Sequence, residues 1–392
     1  MKSWPVVQLT DIFDIARGGS PRPIEAYVTD SQEGVNWISI GDASEGSKYI
    51  TQASRRIRPE GMSRSRKVKP GDFLLTNSMS FGKPYIMGID GCIHDGWLVL
   101  SPRRRGVDPD FFYHLLGSKH LYREFERRAA GATVKNLNIE LVKSVSVPLP
   151  PIDEQRRIAE ILDKADALRV RRRAALAQLD TLTQSIFLEM FGDPVGNPLG
   201  WPKVSLDEVF EISRGASPRP IEAFVTESPD GINWIMIGDA SEGSKYINAT
   251  KKRITPEGSS RSKTVKPGDF LLTNSMSFGR PYIVRTHGCI HDGWLVLSPR
   301  GDNFDPDFFF TLLSSQGVYR EFERLAPGAT VKNLNIQLVR SVVVPVPPIS
   351  EQRCFAAAVA AIEHATDLAA KSLAEIDALF ASLQHRAFRG EL

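Results

Sequence analysis

The sequence predicts an α+β protein built from one folding unit written twice, each copy a mixed globular part followed by a long helix. Three observations carry that expectation. The first is an internal repeat at a constant offset of 197 residues, since Trp4-Pro5 returns as Trp201-Pro202. The same offset carries SPRPIEA (20–26) onto 217–223, IGDASEGSKYI (40–50) onto 237–247, IHDGWLVLSP (93–102) onto 290–299 and GATVKNLNI (131–139) onto 328–336. The second is a set of short β-type runs between Gly- and Pro-rich turns. The third is a stretch from 153 to Phe191 with neither Pro nor Gly. The register survives the loops, where length changes cost little, and the period far exceeds that of a solenoid. Two like units in one chain can arrange themselves about a pseudo-two-fold axis, which suits a target with two-fold symmetry.

The elements follow in order. Runs such as VNWISI (35–40), DFLLTN (72–77) and GWLVLSP (96–102) read as strands. Asp108-Pro109-Asp110 opens a helical stretch with Phe111, Phe112, Leu115 and Leu116, and later Tyr122 and Phe125. The globular part closes with SVSVPLPP (144–151) and SVVVPVPP (341–348), strands running into prolines that cannot extend a ladder. Asp153 and Ser350 then stand where an N-cap belongs, with Glu154 and Glu351 in the first turn. Apolar residues at 3-4 spacing define a coiled-coil seam: Ile158, Ile161, Ala165, Leu168, Ala175, Leu179, Leu182 and Ile186. In the second copy the seam is Phe355, Ala358, Ile362, Ala365, Ala369, Ile376, Leu379 and Leu383. About 38 residues make a rod of roughly 55 Å. Arg172 falls on the seam where Ala369 stands in the other copy, and reads as a long side chain snorkelling over a small partner. The expected divisions are 1–150, a helix at 151–192, 193–347, and a helix at 348–392.

Composition limits the function classes. No apolar run reaches membrane-span length, and Met1-Lys2-Ser3-Trp4-Pro5 carries no signal-peptide core. Cys92, Cys289 and Cys354 are an odd number, and the first two occupy equivalent places in separate copies. They read as reduced thiols of a cytoplasmic protein. The net charge of +3 is too small to identify a nucleic-acid binder. Its distribution says more, because Arg55, Arg56, Arg58, Arg64, Arg66, Lys67 and Lys69 crowd one segment. Lys251, Lys252, Arg253, Arg261, Lys263 and Lys266 populate its counterpart. Such clusters neutralise phosphates.

Motifs for bond-making chemistry are missing. Cys92, His94 and Asp95, repeated as Cys289, His291 and Asp292, offer too few ligands for zinc. They read as a structural cysteine and a His–Asp pair shaping a turn or contacting DNA. There is no P-loop, no dinucleotide fingerprint and no Asn- or Asp-Pro-Pro-Tyr tetrapeptide of an adenine methyltransferase. What remains is donors. The candidates for DNA contact are Arg17, Arg22, Lys48, Arg64, Asn77, Ser78, Ser80, Lys83, Lys135 and Asn136. Their counterparts are Arg214, Arg219, Lys245, Arg261, Asn274, Ser275, Ser277, Arg280, Lys332 and Asn333. Arg and Lys pair with guanine edges and Asn with adenine. Asn136 and Asn138 also read as turn residues that satisfy local backbone.

A strand ending in PLPPIDEQRRI (148–158) or PVPPISEQRCF (345–355) and opening a long helix resembles the specificity subunit of type I restriction–modification systems. GATVKNLNI, ARGGSP and WISIGD fit the same family, and the likeness spans both copies. The resemblance implies two target-recognition domains separated by two antiparallel helices, with no catalytic activity and no cofactor in this chain. It implies a bipartite site on double-stranded DNA, with half-sites held apart by the helices. It further implies two DNA methyltransferase subunits held by 151–190 and 348–390, and through them restriction subunits. S-adenosylmethionine, ATP and Mg would sit on those partners. Recognition domains in one chain commonly differ, whereas these are close copies, so the two half-sites are expected to match and form an interrupted palindrome. Their centres should lie about one helical turn apart. Ser39/Met236, Lys83/Arg280 and Asp90/His287 are the differences able to alter reading. Other readings are a type IIB-like specificity subunit, separable by neighbouring genes, an autonomous DNA-modifying enzyme, separable by turnover of the chain alone, and an assembly scaffold without salt-sensitive DNA affinity.

Overall fold

The computed structural model describes residues 4–44, 46–77, 82–103, 105–129, 137–241, 243–274, 278–326 and 333–392. The chain divides into two compact units, residues 1–175 with 369–392, and residues 176–368. The first long helix (Ile152–Phe191) gives its earlier part to the first unit and its later part to the second. The second long helix (Ile349–Ala387) does the reverse.

The first unit is built around two five-stranded sheets. One has the order Phe13–Arg17, Trp97–Pro102, Phe73–Thr76, Pro84–Met87, Tyr49–Ile50. The other runs Val28–Thr29, Arg55–Ile57, Val35–Ile38, Gly91–Ile93, Arg66–Val68. Side chains alternate across a strand, and here both faces are covered. Phe73, Leu75, Leu98 and Leu100 join the core under the helices. Leu74, Trp97 and Val99 join Ile38, Val68 and Ile93 between the sheets. That is why FLLT and WLVL read as unbroken apolar runs. Beyond the second sheet lies a smaller cluster of Trp37, Ile57 and Cys92, covered by Ile24, Tyr27 and Met62. The second unit repeats both sheets in the same order.

Asp108 caps the helix Pro109–Leu116 by accepting from the Phe111 amide. The helical stretch breaks at Gly117-Ser118 and resumes as Lys119–Ala129, which turns Leu121 inward and leaves Tyr122 exposed. Gln155 explains the motif that opens the long helix. Its buried side chain accepts from the Asp108 amide at 2.9 Å and donates to the Gly106 and Pro150 carbonyls. Gln352 accepts from Asp305 and donates to Pro347 in the same way. Asp153 and Ser350 are not caps but lie within the first turn, because the helices begin at Ile152 and Ile349.

Within the first unit the two helical segments run antiparallel: Arg157 donates to the Leu392 carbonyl, while Arg169 reaches Asp377. The buried face is Ile158, Ala159, Leu162 and Ala165, joined by Phe380 and Ala387. Three expected seam residues are exposed instead: Leu168 (51%), Leu182 (38%) and Leu379 (52%). A strict heptad drifts about 20° per repeat on a straight helix, and the inward face must also cover the globular part. Arg169 takes the seam in place of Leu168, its guanidinium 4.2 Å from the Phe380 ring centre. Arg172 is half-buried. Among the described residues no helix is long and apolar enough to cross a membrane.

Candidate nucleic-acid interface

Asp95 gathers residues from distant parts of the first unit. Its carboxylate accepts from the Ser20 hydroxyl at 2.8 Å and from the Arg22 guanidinium at 3.2 Å. Its carbonyl accepts from Arg17 Nε at 3.0 Å and Asn77 Nδ2 at 2.7 Å. His94, just past the end of its strand, accepts the Gly96 amide on Nδ1 at 2.7 Å. Two glycines permit this closeness. A Cβ on Gly18 would lie 1.9 Å from the His94 carbonyl oxygen, and one on Gly96 would lie 2.2 Å from the imidazole. The second unit repeats the network through Arg214, Ser217, Arg219 and Asn274 on Asp292, at 3.1, 2.9, 3.3 and 2.8 Å.

The electrostatics follow from the contacts. The Ser20 hydroxyl, with His94 and Arg22 adding to it, holds the Asp95 carboxyl below its ordinary value against the opposing effect of burial. Burial pushes His94 below the ordinary histidine value despite the attraction of Asp95. Asp292 and His291 shift in the same directions for the same reasons. The histidine is therefore a neutral acceptor near pH 7. Burial raises the Cys92 and Cys289 thiols, so neither is an activated nucleophile. Among the described residues no three His, Cys, Asp or Glu gather as metal ligands.

This network walls a cleft of about 640 Å³ in the first unit and about 670 Å³ in the second. Pro21, Arg22, Trp37, Arg55 and His94 line the first. Pro218, Arg219, Trp234, Met236, Lys252 and His291 line the second. The guanidinium-bearing side chains of Arg22 and Arg219 are 82% and 80% exposed, each tied to a part-exposed carboxylate. The neighbouring edge strand exposes Arg66 and Lys67. Exposed guanidinium and ammonium groups of this kind are the donors that pair with phosphates and base edges.

The expected donors end up in different surroundings. Arg22 and Arg219 line the clefts, and Arg17 and Arg214 donate to the Asp95 and Asp292 carbonyls beside them. Arg64 and Arg261 are exposed and stack over Tyr27 and Phe224. Lys83 and Arg280 flank the strands below, Lys83 lying 5.8 Å from the Tyr85 ring centre, and Asn333 is exposed. Two pairs need correction. Asn77 and Asn274 are each 2% exposed and bind the turn carbonyls, so they brace the cleft instead of reading adenine. Lys48 and Lys245 are committed within their units, to Asp110 and Asp163 and to Asp307 and Glu363. Ser78, Ser80, Lys135, Asn136, Ser275, Ser277 and Lys332 lie outside the described residues. Asn138 and Asn335 cap short helices by accepting from Leu141 and Leu338. The sequence reading missed Ser20 and Trp37 with their counterparts. Their signal was available, since both stand in segments repeated between the copies.

The comparisons agree with this organisation. The family model for the type I restriction modification DNA specificity domain matches residues 1–178 and again 198–378. The EcoBI type I restriction enzyme specificity subunit of Escherichia coli is 25% identical, over 100% of this chain and 86% of its own length. The MjaVIII specificity subunit of Methanocaldococcus jannaschii is 21% identical, over 96% and 90%. Among solved structures, a chain from a study of assembly and conformational transition of the type I R-M system superposes with a TM-score of 0.69. It is 21% identical and covers 100% of this chain and 99% of its own. The type I restriction-modification S subunit from M. genitalium gives 0.52 at 16% identity, over 98% and 96%. This chain belongs to the type I restriction–modification DNA specificity family.

Proposed function

We propose that this chain is the non-catalytic DNA reader of a type I restriction–modification complex, and that its two units read the same short sequence. The observation that carries the reading is the duplicated cleft, in which the same residue types hold the same Arg–Asp–Ser contacts within a few tenths of an ångström. The full site then reads as an interrupted palindrome on duplex DNA. The partners are two methyltransferase subunits and, through them, restriction subunits; S-adenosylmethionine, ATP and Mg belong to those chains. In support of protein docking on the long helices, Leu168, Leu188, Leu368 and Leu379 are each at least 45% exposed.

Methylome sequencing of cells carrying this chain with its methyltransferase subunit tests the reading. The expected product is one modified motif whose halves match on opposite strands. Two unrelated halves would overturn it. Binding of the motif should also fall steeply with salt, as phosphate contacts require.

A further inference from the structure

The units differ at one groove. In the first unit a groove of about 570 Å³ lies between the start of the Lys119–Ala129 helix and the end of the second long helix. Leu115, Leu121 and Phe388 form its floor, and Lys119, His120 and Arg123 its exposed rim. In the second unit a segment of the chain itself lies against the corresponding helix start. Gly317 stands where His120 stands, and a Cβ there would lie 3.0 Å from Val195 Cγ2 and 3.3 Å from Asp193 Oδ1. Asp193-Pro194-Val195 therefore rests on that helix start, with Pro194 buried and Asp193 accepting from the Gly196 amide at 2.8 Å. Gln316 replaces Lys119, so two of the three rim positions carry cationic or titratable side chains only in the first unit.

We propose that the first unit's groove receives an extended segment of a partner chain with the same chemistry: an acidic residue followed by proline and a short aliphatic residue. The second unit shows which chemistry rests on such a helix start when the segment is tethered. A segment arriving from another chain lacks that tether's effective concentration. The added cationic rim supplies compensating attraction for its carboxylate.

The test is fluorescence anisotropy of a labelled peptide, GDPVGNPLG (residues 192–200), titrated with the full chain. Saturable binding is expected, weakened roughly tenfold by Lys119→Glu with Arg123→Glu. The matched second-unit variant, Gln316→Glu with Arg320→Glu, should leave peptide binding unchanged. Absence of saturable binding, or equal binding by the Lys119/Arg123 variant, overturns the proposal. Displacement of the peptide by duplex DNA, or a parallel loss of DNA affinity in that variant, assigns the rim to nucleic acid and also overturns it. The proposal does not depend on what the clefts read, because DNA affinity is measured separately on the same variants.

Discussion

The same lysine is neutralised differently in the two units. Lys48 meets Asp110 and Asp163, and Asp163 also binds the buried His114 at 2.7 Å. Lys245 meets Asp307, the counterpart of Asp110, but its second partner is Glu363. The residue equivalent to Asp163 is Ala360, and His114 is replaced by Thr311, which donates to the Asp307 carbonyl. Glu363 stands three residues further along the helix, about one turn, where a longer side chain still reaches the ammonium. Burial opposes the charge on each lysine, but the carboxylate hydrogen bonds outweigh it and raise both above their ordinary value. A half-buried charge must be matched, whereas the position of its match is free to move. The clefts obey the opposite rule, since the partners of Asp95 and Asp292 do not move between copies.

That contrast can be broken most sharply at the clefts. Gly18→Ala and Gly215→Ala each force a methyl group into a histidine carbonyl. Each should cost about 3 kcal/mol, the upper part of the range for overpacking. Each should also lower DNA affinity of the full chain equally, read by thermal unfolding and anisotropy. Unequal losses would end the equivalence of the two readers. The ion clusters should respond unequally. Asp163→Ala strands the buried His114 and leaves Lys48 with Asp110 alone, and should cost about 2 kcal/mol in urea unfolding. Glu363→Ala, at a more exposed pair, should cost about 1 kcal/mol or less. Equal costs would remove His114 from the account. The smallest effect is on pH dependence. His94 and His291 hold lowered values, so the unfolded chain takes up their protons first on acidification. Stability is full above the ordinary histidine value near 6.5 and falls as pH drops below it. His94→Gln with His291→Gln should flatten that slope between pH 7 and 5.5; an unchanged slope assigns it elsewhere.

Much of the fold was legible because it rests on local chemistry and repetition. Gln155 and Asp108 sit in motifs that recur intact, and VNWI, FLLT and WLVL became strands where apolar runs met turn residues. The helix face was less legible. Leu168 and Leu379 look like seam residues by spacing, but a straight helix rotates them outward while Arg169 and Asp377 take the contact. The cleft was legible in composition and not in role. Asn77 reads as a base-contacting amide until long-range folding places the Asp95 carbonyl over it. Nothing in a neighbouring residue announces a partner 18 positions away.

The exchange of helical segments has a consequence for synthesis. Residues 176–368 contain everything the second unit uses, and they leave the ribosome before Phe380 and Ala387, which the first unit's core requires. Domains usually mature in the order of translation. Here the later-written reader is the first able to close, and the earlier one waits with an uncovered apolar face until its last helical turns arrive.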